Sequence, residues 1–314
     1  RHRIGESGIE LILKESIRIN GNDSNDSTAS IDTTVQEKNI TFPTDSKLHR
    51  KIIDKCKKIA EKENLPVRQS YTRTLKKLSL DQRFRNHPRN KWKARKADRK
   101  EKTIAGRLVR ELERNLLPDS RYQSDIDLFK RILSQKKNDS NKVYSVHEPD
   151  VQCISKGKEH KKYEFGNKVS IIYTQTTGVI IGAMGFRNPY DGHTIEPALE
   201  QAERLLGKRT IKTLIGDRGY RGKRQINETT IEIPKPFNNR KQSQYQQNKL
   251  KKQFRRRAAI EPINGHLKTD HRLNRNFYKG ITGDNINVML AAAAFNFKRM
   301  MNKWKSSFWL VFKN

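Results

Sequence analysis

The sequence has very few cysteines. Cys56 and Cys153 are the two that occur among its 314 residues, and no Cys/His cluster has the spacing of a zinc site. This scarcity excludes a disulfide-stabilised scaffold and is typical of proteins in a reducing cytoplasm. Cys56 shares an apolar stripe with Leu48, Ile52 and Ile59. We therefore predict that Cys56 is a buried free thiol.

Long hydrophobic runs are also lacking. The longest apolar stretches, residues 289–295 and 308–312, are far shorter than the roughly 20 residues that a membrane-spanning helix needs. No secretory signal is visible. We predict a protein without a membrane span that is located in the cytoplasm, associated with the nucleoid. The chain begins at Arg1 rather than at a methionine, and we expect an upstream segment to be missing.

Acidic residues are scarce relative to basic ones. The chain has 34 Asp and Glu against 67 Lys and Arg, which gives a formal net charge of +33. Self-repulsion of this size destabilises a compact state unless a polyanion is bound, and nucleic acid is the obvious partner because each neutralised phosphate releases counterions. A basic structural protein of the ribosome or nucleoid would show the same excess, so charge alone leaves that alternative open.

The order of predicted elements indicates an α/β fold. A β-prone run at residues 31–35 is followed by basic helical sequence, a hairpin over residues 168–184, a helix over residues 194–206, two strands near residues 211–216 and 229–233, and helices to the end. This is the order of a ribonuclease-H-like mixed sheet flanked by helices, with a basic helical insertion between the first and second strands. We predict an N-terminal helix and linker at 1–27, a catalytic domain at 28–305 with its insertion at 44–140, and a tail at 306–314.

Three acidic residues lie where chemistry is plausible. Asp32 is in the first strand, where an acid is disfavoured and acts either as an edge gatekeeper or as a metal ligand. Asp217 follows the strand at 211–216, where α/β sheets place ligand sites, although it could simply start a turn. Glu261 shares a helical spacing with Phe254, Arg257 and Lys268, so on a straight helix the four would lie on one face. That face could instead be solvated, and Pro262 predicts a kink.

Three carboxylates from separate segments are what a two-metal phosphoryl-transfer site needs. Hard oxygen ligands suit Mg²⁺ or Mn²⁺, and two such ions stabilise the attacking and leaving oxygens of an in-line displacement. We therefore expect the carboxylates of Asp32, Asp217 and Glu261 to converge within about 4–8 Å of each other.

Taken together, these residues resemble the DDE transposases of bacterial insertion sequences. The matching motifs are Asp32-Thr33-Thr34-Val35, Asp217-Arg218-Gly219-Tyr220 and Arg257-x3-Glu261-x6-Lys268. The third is similar to the family's Tyr-x2-Arg-x3-Glu-x6-Lys signature, with Phe254 in the tyrosine position. The resemblance covers nearly the whole chain.

The resemblance implies metal-dependent cleavage and transfer of DNA strands at transposon ends. Asp32, Asp217 and Glu261 would bind two Mg²⁺ or Mn²⁺ ions, and Arg257, Lys268, Arg218 and Tyr220 would contact DNA or its phosphates. Tyr220 could equally pack against the sheet edge. The partners would be double-stranded DNA of the ends and target, with a homodimer bringing two ends together.

Several other assignments rest on the sequence alone. Asp191 and His193 are more typical of a turn before the next helix than of a catalytic site, and Asp284 is predicted to be a helix N-cap. The insertion is interpreted as a DNA-binding element, since ten of the twenty residues from Arg83 to Lys102 are Lys or Arg. A catalytically inactive or truncated remnant that only binds DNA would have the same sequence features.

Overall fold

A computed structural model describes residues 4–117, 120–155, 161–207, 211–234 and 243–311. Its helices and strands follow in chain order: α1 (Gly5–Arg18), β1 (Thr28–Lys38), α2 (Asp45–Lys62), α3 (Thr72–Asp81), α4 (Lys91–Asn115), α5 (Gln123–Ser134), β2 (Gln152–Ile154), β3 (Glu164–Thr174), β4 (Ile180–Phe186), α6 (Ile195–Leu206), β5 (Thr213–Ile215), β6 (Gln225–Ile226), β7 (Thr229–Glu232), α7 (Gln244–Arg257), α8 (Ile260–Thr269), β8 (Arg275–Asn276) and α9 (Gly280–Val311).

The chain divides into two compact units. Unit 1 consists of Arg1–Asn39 and Gln152–Asn314, and unit 2 is Ile40–Val151. Unit 2 therefore interrupts unit 1 in sequence directly after β1. The predicted tail at 306–314 lies partly outside the described residues.

Unit 1 contains a mixed sheet. Its strands follow the order β2-β3-β1-β5-β7-β6, with β4 paired to β3 and β8 paired to β1. β3 pairs antiparallel with both β1 and β4, whereas β5 pairs parallel with both β1 and β7. This arrangement is the predicted mixed α/β sheet, and the order β4-β3-β1-β5-β7 is consistent with a ribonuclease-H-like domain.

Buried aliphatic residues on both faces of the central strands form the core of unit 1. Ile31, Val169 and Ile172 are completely buried, as expected for strands covered on both sides. Helices α6 and α9 pack against β4, and α1 packs against α9 and α6. The sheet is thus flanked by helices, and its central strands β1 and β5 are held rigidly.

The hairpin and the helix after it match their predictions. β3 and β4 pair in antiparallel register around the turn at residues 175–178. α6 begins after Thr194 and ends at Gly207, which has a φ of +67°. A left-handed residue at a helix C-terminus is most easily supplied by glycine, because it has no Cβ to clash.

The prediction that Asp284 is a helix N-cap is wrong. α9 already begins at Gly280, and Asp284 is buried inside it. Its Oδ1 lies 2.5 Å from Nζ of the buried Lys38, and its carboxylate also accepts hydrogen bonds from Asn167 and Asn276. These contacts connect the end of β1 to β3, β8 and α9. Asp284 therefore stabilises the packing of α9 on the sheet and does not cap a helix.

Unit 2 has a hydrophobic core of its own. Buried residues of α2, α4 and α5, among them Ile52, Ile104 and Phe129, form one contiguous cluster. α2 begins as predicted at Thr44, whose hydroxyl accepts a hydrogen bond from the backbone N–H of Lys47. The helical segment that was predicted over 44–140 is therefore a packed helical unit.

Among the described helices, including the 32-residue α9, none has a stretch apolar enough and long enough to cross a membrane.

Cys56 is expected to be unreactive toward thiol reagents in the native protein. Its side chain is buried in unit 2, and burial, with a smaller contribution from Asp125, raises the thiol pKa to about 12. Since the thiolate is the reactive form, a chromogenic disulfide reagent at pH 8 should modify Cys153, which is half-buried, and modify Cys56 after unfolding in denaturant. Rapid labelling of Cys56 in the native state would contradict this burial.

Candidate active site

Asp32 lies in the middle of β1, half-buried, with a neighbouring strand on each side. On one side it pairs with Ile171 of β3. On the other side β1 runs parallel to β5 in a register that pairs Ser30 with Ile215. Asp32 lies two residues beyond Ser30 on β1, and Asp217 lies two residues beyond Ile215, so both acids follow the carboxyl end of the parallel pairing.

Asp217 follows β5 directly and keeps an extended backbone, with φ −86° and ψ −175°. Its Oδ1 accepts a hydrogen bond of 2.7 Å from the backbone N–H of Gly219. The tight turn after the strand therefore fixes the direction of the carboxylate. The prediction that an acid follows a buried strand at this point is confirmed.

Asp191 is a third acid at this place, and sequence reasoning assigned it to a turn. It follows β4 in a short 3-10 turn, and its Oδ1 contacts Thr33 Oγ1 at 3.2 Å and Lys168 Nζ at 2.9 Å. A Cβ atom on Gly219 would lie 2.9 Å from Asp217 Oδ1 and 3.1 Å from Asp191 Oδ2. Both carboxylates thus lie close to Gly219, and a side chain at this position would clash with them.

The helical segment that carries Glu261 is broken, in agreement with the kink that Pro262 predicts. α7 ends at Arg257 and α8 begins at Ile260. Pro262 explains the break, since proline has no N–H to donate and is tolerated in the first turn of a helix but not in its interior. Phe254 and Arg257 therefore do not share a helix face with Glu261 and Lys268.

The break nevertheless brings both helices to Asp32. The Tyr173 hydroxyl of β3 donates a hydrogen bond of 2.9 Å to the backbone carbonyl of Arg257, which fixes the end of α7 at the sheet. Arg257 Nη1 lies 3.6 Å from Asp32 Oδ1, and Asn264 Nδ2 of α8 donates to Asp32 Oδ2 at 3.3 Å. Asp32 is thus contacted from both sides of the break. Sequence reasoning missed Tyr173 and Asn264.

Glu261 and Lys268 lie on the face of α8 that contacts Asp32. Residues three and four apart share a helix face, so Glu261, Asn264 and Lys268 form one row along α8. Glu261 is exposed in the first turn, where the helix dipole stabilises a negative charge. Lys268 is half-buried in the last turn.

Tyr220 is completely buried, so it packs under the turn instead of reaching solvent. Its ring contacts the backbone of Gly216. Burial raises the pKa of the hydroxyl well above its usual value, and the nearby negative charges of Asp32, Asp191 and Asp217 raise it further. This corrects the assignment of Tyr220 to DNA contact and supports the packing alternative. Arg218, on the same turn, is exposed.

The donor atoms at this edge of the sheet are suited to a hard cation. Asp191 and Asp217 approach the same glycine, and in addition to burial they and Asp32 together raise the pKa of the Tyr220 hydroxyl. Within the described parts of the chain, however, no three His, Cys, Asp or Glu side chains are close enough to hold one metal ion as they stand. The expected convergence of the carboxylates of Asp32, Asp217 and Glu261 stays a prediction. Asp32 lies in β1, Asp217 follows β5, and Glu261 lies in the first turn of α8.

Comparison with known proteins places this site in a family. Residues 138–297, about half of the chain, match the family model of the transposase DDE domain. The matched segment includes Asp191, Asp217, Arg257, Glu261 and Lys268 but not Asp32, which joins the site through strand pairing.

A relative from Rhizobium meliloti, "Uncharacterized protein ORF8 in nfe locus", is 38% identical over 94 residues. The match covers 28% of this chain and 45% of that protein, and its name carries no information on activity. No solved structure matches significantly. By the family match, this chain belongs to the DDE transposases of insertion sequences.

Proposed function

We propose that this chain cleaves DNA strands at the ends of an insertion sequence and joins the freed 3′ ends to target DNA. The observation that supports the proposal is the parallel pairing of β1 and β5, because Asp32 and Asp217 each follow two residues beyond its last pair, and Asn264 of α8 contacts Asp32. Glu261, one turn before Asn264 on the same face, is the third acid of the proposed site.

We assign the binding of two divalent ions, Mg²⁺ or Mn²⁺, to Asp32, Asp217 and Glu261. The residues fit such ions, since all three offer carboxylate oxygens and hard cations prefer oxygen ligands. When bound, the ions supply activation of the attacking water or 3′-hydroxyl and neutralisation of charge on the phosphate. Glu261 lies on α8, the helix whose Asn264 contacts Asp32.

The neighbouring residues orient these acids. The backbone of Gly219 holds the Asp217 carboxylate, and Asn264 holds the Asp32 carboxylate. Arg257 pairs with Asp32 at 3.6 Å, and with metal bound its guanidinium could turn to a phosphate, which it suits because its donors form a planar fork. Lys268 and the exposed Arg218 would contact phosphates further along the strand.

The partners follow from this chemistry. The substrate is double-stranded DNA of the element ends and of the target, and a homodimer would bring two ends together. A chain that acts on chromosomal DNA would work in the nucleoid. The whole protein's end specificity belongs to the proposal as well, because the matched relative is covered over less than half its length.

A DNA-binding remnant without catalysis is the second candidate. It is favoured by the ion pair between Asp32 and Arg257 and by the absence of a three-acid cluster among the described residues. The intact acids at all three motif positions favour the active enzyme.

Metal dependence of cleavage tests the proposal. End-labelled DNA carrying the element's own ends should be cut by the full chain in Mg²⁺ or Mn²⁺, and not in excess chelator, because the acids alone cannot activate the nucleophile. DNA binding, followed in the same samples by gel shift, should persist in chelator. Binding without cleavage in either metal would identify the remnant, and cleavage in chelator would exclude the metal mechanism.

A further inference from the structure

We infer that the groove between α3 and α4 of unit 2 is a binding site for the phosphate backbone of double-stranded DNA. The inference deepens the proposed function in that it rests on DNA being the substrate, but it concerns a surface formed entirely by unit 2. The match to the family model does not include this groove, since the matched segment begins at residue 138.

The groove is large and open along the two helices. Its volume is about 1040 Å³, and its walls are formed by Thr74 to Asp81 on α3, Pro88 in the connection, and Lys91 to Thr103 on α4. Six Lys and Arg side chains of α4, between Lys91 and Lys100, line it together with Lys77 of α3. Asp81 is the one acid in the lining.

The charge of this groove is not neutralised within unit 2. As far as the structure describes the chain, none of these seven cations forms an ion pair, whereas the acids of α4 are used elsewhere. Asp98 accepts hydrogen bonds from Arg85 and Gln82, at 2.8 and 2.9 Å. Glu101 is fully buried and pairs with Arg50. The acids thus hold α2, α3 and α4 together, and the cations are left facing the groove.

The spacing of the cations suits a DNA strand. Lys91, Arg95 and Arg99 follow at intervals of four residues along α4, which places them on one row at steps of about 6 Å. The row spans about 12 Å, the length of three to four nucleotides of one strand along a duplex axis. Lys96 and Lys100 form a second row beside it. A rigid helix that presents two rows of cations can therefore follow consecutive phosphates.

The aromatic content of the groove favours duplex over single-stranded DNA. Trp92, which is 60% exposed, is the one aromatic side chain in the lining. Proteins that bind single strands place several aromatic rings in succession so that unpaired bases stack on them. One indole at the groove wall is instead suited to pack against a sugar of the backbone while the cations contact phosphates.

The salt dependence of binding tests this assignment. A groove variant of the full chain combines Lys77→Gln, Lys96→Gln and Lys100→Gln, and a matched control combines Lys58→Gln, Lys62→Gln and Lys76→Gln. Both lose the same charge from exposed positions of unit 2, but none of the control lysines lines the groove. Affinity for a mixed-sequence duplex of about 30 base pairs is measured over a series of salt concentrations.

The groove variant should bind more weakly, and its slope of log K against log salt should be shallower by about 2 to 3, because each phosphate contact contributes about 0.9. The control slope should match the unmodified chain. Equal changes in both variants, or an unchanged groove variant, would overturn the inference. A larger loss for the single strand of the same sequence than for the duplex would overturn the assignment to duplex DNA.

A second measurement leaves the groove intact. In a chain with Trp304→Phe and Trp309→Phe, Trp92 is the remaining tryptophan, and bound duplex should protect its fluorescence from acrylamide quenching. Unchanged quenching at saturating DNA would overturn the inference. The two proposals can fail separately. If the chain binds DNA through the groove but never cleaves it, the proposed catalysis is refuted and the groove assignment stands. If the chain cleaves DNA and the groove substitutions do not affect binding, the groove assignment is refuted and the proposed catalysis stands.

Discussion

Replacing Asp217 by asparagine is expected to reduce DNA strand cleavage by at least about 10³-fold, since a catalytic metal contributes several kcal/mol and each 1.36 kcal/mol is a factor of ten in rate. Asparagine keeps the size of the side chain and can still accept the hydrogen bond that Gly219 donates to Asp217. The turn after β5 should therefore persist. What the variant loses is one negative charge directly after the carboxyl end of β5.

Three measurements on the same preparations separate catalysis from structure. Cleavage of labelled element ends in Mg²⁺ should be lost, duplex binding at fixed salt should be retained, and the unfolding midpoint should change little. Asp54→Asn is the matched control, because it removes the same charge from an exposed position in α2 and should cut normally. If Asp217→Asn lost binding and stability together with cleavage, Asp217 would be a structural residue of the turn and not a metal ligand.

The position of Asp217 at the end of a buried strand could be predicted from the sequence, because it depends on a short segment of the chain. A short apolar run predicts a buried strand, and the acid at its carboxyl end needs no knowledge of the rest of the chain. The same is true of Gly207 at the end of α6 and of Thr44 at the start of α2. In each case the deciding contacts lie within a few residues.

Asp32 and Asp191 could not be placed in this way. Asp32 is brought near the end of β5 because β1 pairs with β5, about 180 residues away in sequence, and the family model does not extend to Asp32. Asp191 has the sequence of an ordinary turn, and its contacts with Thr33 and Lys168 depend on the pairing of β1 with β3. Strand pairing across such separations is not encoded in any local pattern.

For the helix break, the sequence predicts that a break occurs but not the direction of the helix that follows it. Pro262 predicted a kink, yet the direction of the following helix is set by Tyr173 and Asn264, which bind the two sides of the break to the sheet. Tyr220 could not be predicted correctly for the same reason. The motif shows a polar aromatic residue, but its burial depends on packing against Gly216.

Replacing Asp284 by alanine is expected to destabilise unit 1 by about 3 to 5 kcal/mol, the cost of leaving one member of a buried ion pair without its partner. Lys38 and Asp284 are almost completely buried, with side-chain exposures of 3% and 2%. Glu196→Ala is the control, since Glu196 pairs with Lys223 at the surface and such pairs contribute less than about 1 kcal/mol. Urea unfolding followed by circular dichroism measures both changes.

A second substitution distinguishes the buried charge from simple loss of packing. In the unmodified chain, Lys38→Met should be destabilising, because it removes the buried ammonium group that pairs with the buried Asp284 carboxylate. In the Asp284→Ala background the same substitution should be neutral or stabilising, because it removes a buried ammonium group that has lost its carboxylate. The effect of Lys38→Met thus reverses or disappears between the two backgrounds if charge burial dominates. Equal destabilisation in both backgrounds would contradict this. It would mean that Lys38 stabilises β1 through the packing of its aliphatic stem and through the 2.8 Å hydrogen bond from its Nζ to the Tyr278 carbonyl. The ion pair with Asp284 would then contribute little.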